Sequence, residues 1–551
     1  MIAAACVLVP PLAAALLAVL PAGWRARANL LAAAITFGLT ACLPWAPAAQ
    51  GGWLLTGGLA AQLAALTGFV GLIAAWCGLD SVEAETGEGR LAGAGLRLYY
   101  ALFQAVLGCA LLALLSDNLG VTWAALSAAV VAAAVAGGLP GTPEAMRAAW
   151  RGFVPVWAGA ALALFGTVAL YTAALPVLGP GWAAMSWSGL AHAAPGVPGA
   201  MLDFACASLF VGYGTLAALA PLHGWMPGLG APPAPGAAGP TPGPTPVHAV
   251  LCGAVPIAAL AVLLRLRGVL AANPEAMPPG PPLLALGVLC VLLAGFGLWR
   301  RRDMAGFFAL CATGQRGMVC LGFGLGTPAA TFGGLLHLAA HTLAGAAVLH
   351  CADAAARLEA RQGSGRRFAD GGGLILSHPA LGVPLVAGLA ALAGLPPFGV
   401  FAGGFLVVAE LAHGAPWLLV PTGAGLLAGA WALVARLQDL CLDAPASGRG
   451  ARLELGPRQR SHAERSEGSA GAGQDGEAGP VDATEDERLW ASLSAAEDAG
   501  RDEAGLARAD GAPGRAALAG VWLSLALALA SGLFLPAPVA AWMRATAGAL
   551  P

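Results

Sequence analysis

The stretch TLAALAPLHGWMP, Thr215 to Pro227, ends a long apolar run with a proline, a histidine and a tryptophan. Proline removes a hydrogen bond from a helix and clashes with the preceding turn, so Pro221 predicts a break. A second apolar run carries the same feature at GLPPFGVF, Gly394 to Phe401. Either proline could merely kink a buried helix. Two breaks at corresponding places in two halves favour an inverted repeat of the transporter type, with irregular backbone covered by protein or water.

The composition is that of a protein that crosses a membrane many times. Of the 551 residues, 58% are hydrophobic and 10% are charged, whereas soluble domains carry about 25% charged residues. Nearly uncharged apolar runs recur along the chain, and each is long enough to span the hydrocarbon core of a bilayer. There are about fourteen of these runs, which predicts an all-α polytopic membrane protein.

The basic residues, all of them arginines, predict the orientation in the membrane, because short cytoplasmic loops usually carry the positive charge. Arginines occupy alternate loops, namely Arg25 and Arg27, Arg90 and Arg97, Arg147 and Arg151, Arg300 to Arg302, and Arg357 to Arg367. Arg265 and Arg267 are exceptions on the opposite side. The alternation predicts that both termini lie outside the cytoplasm. It also makes 436–515, rich in Gly, Ala and charged residues, a cytoplasmic insertion, for which a solvated linker is favoured over a docking element.

Several long phrases are similar to those of a known family. PLHGWMP followed by PTPVHAVLCG resembles the PLHxWLP…PTPVSALLSG signature of antiporter-like membrane subunits, which occur in respiratory complex I, group 4 hydrogenases and Mrp-type cation/proton antiporters. RRRDMAGFFALCATGQRGMVCLGFGLG, Arg300 to Gly326, resembles the hydrogenase-4 component F branch of that family. The resemblance extends over about residues 95 to 435.

The resemblance implies a fold of fourteen membrane helices with two five-helix inverted repeats and discontinuous seventh and twelfth helices. We therefore expect N-terminal membrane helices in 1–95, the first inverted repeat in 96–264 and the second in 265–435. The charged insertion would follow in 436–515, and a C-terminal membrane helix in 516–551.

Most of the family's proton carriers are replaced in this sequence. In relatives, ionisable groups at the membrane midplane form the proton path, where a buried charge is costly and therefore usually functional. A glutamate of that path is Ser127 here, the lysine of the broken seventh helix is Leu216, and a histidine is Gln315. The family positions that lose their usual carrier or polar neighbour are Ser127, Leu216, Ile257, Gly314, Gly345 and Gly404. The resemblance thus implies the backbone of a proton channel without most of its usual carriers.

The polar groups that remain predict a reduced proton path in the second half. His337 and His341 match two family histidines at i and i+4, and neutral imidazoles can relay protons, although they could equally bridge water or bond neighbours. Arg316 lies about 21 Å beyond Arg302 along a helix, so we expect it to pair with carbonyls, a histidine or an acid such as Glu410. The remaining path candidates are Gln315, Glu410, His223 and His248, the last two as entrance groups or helix-end residues.

Three functions are compatible with these features. The leading hypothesis is an antiporter-like, proton-translocation-type membrane subunit of a hydrogenase-4 or NADH-quinone oxidoreductase-like complex, with weakened pumping. The alternatives are a purely structural membrane-arm subunit and the membrane module of an ion-driven uptake system. The expected partners are other membrane subunits and the lipid bilayer of a bacterial inner membrane, and no nucleic acid.

No catalytic centre is expected in this chain. Nucleotide-binding loops, a Ser-His-Asp set, flavin motifs and iron–sulfur patterns do not occur in the sequence. The eleven cysteines form no CxxC pair and are interpreted as small buried hydrophobic residues, so we expect no metal site and no cofactor. Any oxidoreductase activity would therefore belong to partner subunits.

The arginine alternation makes a testable prediction about the insertion. A cysteine introduced near Gly471 should react with a membrane-impermeant maleimide from the cytoplasmic side, because the positively charged loops share that side. The measurement is labelling of right-side-out and inverted membrane vesicles. Labelling from the outside in right-side-out vesicles would contradict the topology.

Overall fold

The computed structural model describes residues 1–46, 52–87, 89, 91–226, 245–301, 304–362, 373–442 and 514–550. Most of the predicted 436–515 insertion therefore lies outside the described residues. Within these ranges the chain is almost entirely helical. The extended pairings in them are two isolated bridges, Leu54 with Ser116 and Asn118 with Ser186.

Eighteen α-helices make up the described chain. The helices of the N-terminal part are α1 Ile2–Val19, α2 Ala22–Cys42, α3 Gly58–Gly87, α4 Gly93–Leu115, α5 Leu119–Gly138, α6 Pro143–Leu178, α7 Trp187–Ala193, α8 Gly199–Leu216 and α9 Thr245–Ala271. The helices that follow are α10 Gly280–Leu298, α11 Met304–Leu325, α12 Pro328–Gln362, α13 Leu374–Ser377, α14 Pro379–Leu392, α15 Gly399–Gly414, α16 Leu419–Leu437, α17 Arg515–Leu533 and α18 Ala537–Gly548.

The all-α polytopic fold is confirmed, and its spans can be counted within the described ranges. Eleven helices are long and apolar enough to cross a bilayer, and the pair α17–α18, bent by 73°, brings the number to twelve. The helix α11 is not among them, because Gln315 and Arg316 lower its mean hydropathy. The apolar helices α14 and α15 are each too short, because a break separates them. With α11 and the α14–α15 pair, the twelve become the fourteen spans that the sequence predicts.

Small residues let the helices of the second half approach one another closely. Gly425 of α16 lies against the backbone of Gly295 in α10, and Gly403 of α15 lies against the backbone of His337 in α12. Helices in membranes commonly associate through such small residues, because lipid chains give little hydrophobic drive between helices. The helix α11 packs against α10, α12 and α15, which places it inside this half of the bundle. The division into two repeats stays a prediction.

The two exceptional arginines of α9 have a structural explanation. Arg265 donates to the carbonyl of Leu114 at 2.6 Å, in the last turn of α4, and its guanidinium lies 5.6 Å from the centre of the Trp187 ring. Arg267 donates to the carbonyl of Gly326 at 3.2 Å, just after α11 ends. Cations stabilise the carbonyl ends of helices. These arginines therefore serve as helix caps, and a rule for loop charges does not apply to them.

Close packing of α15 on α12 predicts that two adjacent glycines differ in tolerance. A Cβ at Gly403 would lie 2.6 Å from the backbone nitrogen of His337, so Gly403→Ala must push two helix backbones apart. Such overpacking costs about 1–3 kcal/mol. We expect a lower melting temperature for Gly403→Ala in detergent or nanodiscs.

The neighbouring Gly404→Ala is the matched control for that substitution. Its Cβ would lie 3.5 Å from Nδ1 of His337, an ordinary van der Waals distance. We expect this variant to melt close to wild type. Equal melting temperatures for the two variants would contradict the packing described here.

Candidate functional site

The first predicted break follows α8, which ends at Leu216 before reaching Pro221. Ala218 adopts the left-handed conformation with φ of 53°, and the backbone N–H of Leu219 donates to the carbonyl of Gly214 at 2.8 Å. This is the hydrogen bond that closes many helices, usually with glycine at the left-handed position. The interruption predicted at Pro221 is confirmed on the side of α8, whereas residues 227–244 lie outside the described chain.

The second predicted break, between α14 and α15, has the same local geometry. Gly394 is left-handed with φ of 74°, and the N–H of Leu395 donates to the carbonyl of Ala390 at 3.1 Å. The sequences LAALAP, residues 216–221, and LAGLPP, residues 392–397, correspond position by position. The two breaks thus share a local sequence and a left-handed turn.

Side chains from α10, α11 and the segment that follows the first break satisfy its exposed backbone groups. The hydroxyl of Thr313 donates to the carbonyl of Ala218 at 3.1 Å, and Sγ of Cys290 accepts from the N–H of Ala220 at 3.1 Å. The indole of Trp225 donates to the carbonyl of Thr215 at 2.7 Å. Unpaired backbone groups are costly in lipid, so these contacts are what allow the helix to stop inside the protein.

One turn of α11 contacts both breaks. Its Thr313 bonds the first break, whereas the amide nitrogen of Gln315 donates to the carbonyl of Leu392 at 2.8 Å, at the end of α14. The adjacent Arg316, which is 4% exposed, donates to Sδ of Met226 at 2.9 Å, beyond the first break. A helix in the middle of the second half thus holds the interrupted ends of both halves.

His337 of α12 extends this contact across the second break. Its Nε2 lies 2.8 Å from Oε1 of Gln315, and its Nδ1 lies 3.1 Å from the carbonyl oxygen of Val400, in the first turn of α15. The imidazole is 3% exposed. A continuous hydrogen-bonded chain therefore runs from the carbonyl of Val400 through His337 and Gln315 to the carbonyl of Leu392.

This chain of three contacts contains one donor too few when His337 is neutral. Both of its ends are carbonyl oxygens, which only accept. A neutral imidazole supplies one N–H and the Gln315 amide supplies one donor at the remaining end. If the Gln315 amide is rotated so that its nitrogen faces His337, its oxygen faces the carbonyl oxygen of Leu392. Those two atoms both accept, so one hydrogen bond is still missing. An additional proton on His337 would complete all three hydrogen bonds.

His341 lies one turn from His337, with ring centres 5.9 Å apart, and faces a cavity. The cavity is about 100 Å³ and is lined by His341, Arg316, Thr342 and two replaced family positions, Gly345 and Ile257. A second cavity of about 320 Å³ is lined by residues of the hydrogen-bonded chain and by two further replaced positions, Gly314 and Gly404. Small or apolar residues at the former carrier positions thus leave space beside the histidines.

The corresponding positions of the first half are packed differently. Leu216 is completely buried at the end of α8, and Ser127 of α5 is 5% exposed. The hydroxyl of Ser127 has no hydrogen-bond partner within the residues that the structure describes. Neither side chain can change charge.

Three other predicted path residues lie apart from this site. Glu410, named above as one possible partner of Arg316, accepts from the hydroxyl of Thr327 at 2.6 Å, beyond the end of α11. His223 lines a cavity of about 260 Å³ together with Arg151 and Arg301. His248 lies in the first turn of α9, and its side chain is outside what is described.

The sequence alone did not single out two of the residues that satisfy the first break. Thr313 and Cys290 bond backbone groups distant in sequence, and a lone threonine or cysteine in an apolar helix carries no signal of that role. A weak signal exists for Thr313, which lies two residues before Gln315 in an otherwise apolar segment. Among the described residues, no three His, Cys, Asp or Glu side chains are arranged to hold a metal ion.

Comparisons with known proteins agree with this architecture. The family model for the membrane-spanning part of NADH:quinone oxidoreductase and Mrp antiporter proteins matches residues 116–428. A hydrogenase-4 component F homolog from Methylacidiphilum infernorum is 36% identical over 380 residues, covering 69% of this chain and 77% of that protein. NADH-quinone oxidoreductase subunit N 1 from Symbiobacterium thermophilum is 32% identical over 305 residues, covering 54% and 57%.

Solved structures share the fold at low sequence identity. A chain of respiratory complex I from Thermus thermophilus with bound NADH matches with a TM-score of 0.68 and 20% identity over the full length of both chains. A chain of the membrane-bound sulfane sulfur reductase, an archaeal respiratory membrane complex, matches with a TM-score of 0.65 and 18% identity, covering 80% of this chain and 88% of that one. The family model covers more than half of the sequence and the homolog more than two thirds, so this chain belongs to the NADH:quinone oxidoreductase/Mrp antiporter family of membrane proteins.

Proposed function

We propose that this chain is an antiporter-like subunit of a hydrogenase-4 or NADH-quinone oxidoreductase-like complex, and that its second half carries the proton path. The observation that carries this proposal is the hydrogen-bonded chain across the second break, which lacks one donor until His337 gains a proton. Hydrogen bonding favours the protonated ring, whereas burial in an apolar medium opposes charge. The opposition of the two effects is what a transient proton carrier requires.

The path proposed here uses the two histidines and the space around them. His337 holds the proton at the break, and His341 passes it to the cavity that Arg316 and Gly345 line. A cavity of about 100 Å³ accommodates a few water molecules when polar groups line it. Arg316 is a fixed positive charge beside the path, and it limits how long a second charge stays there.

The first half acts as a scaffold in this proposal. Ser127 and Leu216 replace a glutamate and a lysine that form a pair in relatives, and both replacements are uncharged. Loss of the two together is physically consistent, because removing one partner of a buried ion pair strands the other. The left-handed turn at Ala218 then serves packing alone.

The proposed location is a bacterial cytoplasmic membrane, with both termini on the non-cytoplasmic side. The alternation of arginine-rich loops supports this orientation, and the relatives named above from Methylacidiphilum and Symbiobacterium are bacterial proteins. Partner subunits of the assembly would hold the redox centres.

Proton flux is the direct test of this function. The full-length chain, with the membrane subunits that purify with it, is reconstituted into proteoliposomes, and flux is followed with a pH-sensitive dye. Replacing both path histidines, as His337→Gln and His341→Gln, should lower flux about 100-fold, since glutamine hydrogen-bonds but carries no proton. Ser127→Ala and His223→Gln should leave flux close to wild type.

The reverse pattern would refute the assignment to the second half. Flux that survives loss of both histidines but disappears with Ser127→Ala or His223→Gln would place the path in the first half. A wild-type complex that conducts no more than protein-free liposomes would favour the purely structural alternative. Flux that requires a cation other than the proton would favour the ion-driven uptake alternative.

The space at Gly345 predicts that a lost carrier can be restored in the second half. A Cβ at Gly345 meets no heavy atom within 4 Å, and the residue lines the cavity beside His341. We expect Gly345→Lys to fold and to raise proton flux, because a buried lysine switches charge readily. The measurements are the melting temperature and the proteoliposome flux.

The control for this substitution is Leu216→Lys, at a replaced carrier position of the first half. Leu216 is fully buried in packed surroundings, so a lysine there should lower the folded yield. A Gly345→Lys protein that misfolds as severely as Leu216→Lys would contradict the cavity assignment.

A further inference from the structure

The two cavities beside the histidines share a wall. His341 lines the cavity of about 100 Å³ and His337 lines the cavity of about 320 Å³. Among the described residues, two line both cavities, namely Cys311 of α11 and Leu392, the last residue of α14. A side chain that contacts both spaces lies between them. We name Cys311 and Leu392 the septum.

The positions along α11 and α12 explain why the cavities adjoin at this place. Cys311 and Gln315 are one turn apart on α11 and share a face, as do His337 and His341 on α12. Gln315 lines the larger cavity. Arg316, one residue later and therefore rotated by about 100° around the helix axis, lines the smaller one. The boundary between the cavities therefore passes along one face of each helix.

The septum offers water few hydrogen bonds. The Cys311 side chain ends in a thiol, which is a weak donor and a weak acceptor, and the Leu392 side chain is entirely apolar. Both residues are buried, and apolar constrictions in membrane proteins exclude water. Each cavity, by contrast, has polar side chains in its lining, which a buried water molecule requires. The cavities can therefore hold water while the septum between them stays dry.

A hydrogen bond at the second break holds Leu392 in the septum. The amide nitrogen of Gln315 donates to the backbone carbonyl of Leu392 at 2.8 Å, two residues before the left-handed Gly394. The bond that satisfies the end of α14 thus also fixes the position of the side chain that separates the cavities. Because the acceptor is a backbone carbonyl, the Leu392 side chain can be shortened without removing this bond.

The histidine pair crosses the boundary that the septum closes to water. The ring centres of His337 and His341 are 5.9 Å apart, and each ring lines a different cavity. Nδ1 of His341 lies 3.1 Å from the carbonyl oxygen of His337, which orients the second ring on the first turn. A proton can therefore pass between the cavities through the imidazoles, at a place where a file of water molecules is interrupted.

We propose that Cys311 and Leu392 seal the two cavities from each other, so that protons cross between them only through His337 and His341. A continuous file of water would let protons leak past without protonating either ring. The seal depends on the bulk of the two side chains and not on the chemistry of the thiol. This inference rests on the proposed proton path and adds the residues that prevent a leak around it.

The test opens the septum in protein that has lost the histidine path. The starting point is the double variant His337→Gln, His341→Gln, whose proteoliposome flux is expected to be about 100-fold below wild type. Adding Cys311→Gly or Leu392→Ala should raise that flux about 10-fold, because the space left by the side chain lets water join the two cavities. In the wild-type background, Cys311→Val should leave flux unchanged, because valine keeps the bulk.

The matched control is Cys320→Gly in the same double variant. Cys320 also lies in α11 and is buried, but it lines neither cavity. Glycine weakens a helix at either position, so we expect similar melting temperatures for the two glycine variants and a rise in flux for Cys311→Gly alone. If Cys311→Gly fails to fold, Leu392→Ala decides, because it leaves α11 unchanged.

The outcomes separate this inference from the proposed function. If Cys311→Gly and Leu392→Ala fold but leave flux at the level of the double variant, the seal is refuted and the histidine path stands. A Cys320→Gly protein whose flux rises as much as that of Cys311→Gly also refutes the seal. A double variant with an intact septum that conducts like wild type, or a wild-type complex without flux, refutes both proposals.

Discussion

The structure depends on how two interrupted membrane helices keep their backbone groups hydrogen-bonded. A helix that stops inside a bilayer leaves carbonyls and N–H groups that water cannot reach. Each break closes with a left-handed residue, Ala218 or Gly394, and with one backbone hydrogen bond between residues five positions apart. The remaining groups require side chains from elsewhere, and α11 supplies two of them through Thr313 and Gln315. At the second break, the hydrogen bonds that hold the backbone are therefore also those of the proposed proton path.

The two breaks differ in the side chains that satisfy their backbone groups. The first break is satisfied by Thr313, Cys290 and Trp225, none of which needs a charge. The uncharged residues Ser127 and Leu216 therefore leave its backbone hydrogen bonds intact. In the second half Gln315 and His337 both hold the break and form the chain that is one proton short. The polar groups retained there cannot be exchanged for apolar ones without exposing the carbonyl of Leu392.

The sequence predicted the features that local chemistry controls. Prolines located both breaks, apolar runs gave the spans, and the i, i+4 spacing placed His337 beside His341. It could not predict which distant groups meet, because that depends on helix packing. Glu410, one of the partners considered for Arg316, accepts from Thr327, whereas Arg316 donates to Met226. Arg265 and Arg267 did not fit the predicted alternation of arginine-rich loops. That prediction counts charges in loops and takes no account of arginines that bond carbonyls at helix ends.

In the proposed function, His337 exchanges a proton within a hydrogen-bonded chain across the second break. Nitrogen-15 solid-state NMR of histidine-labelled protein in bilayers tests it directly, with His337→Gln used to assign the resonance. We expect His337 to change between a neutral ring and a doubly protonated ring over the pH range in which the protein conducts, and Gln315→Met to alter that change. A His337 ring that stays neutral, with one tautomer throughout that range, would contradict the account.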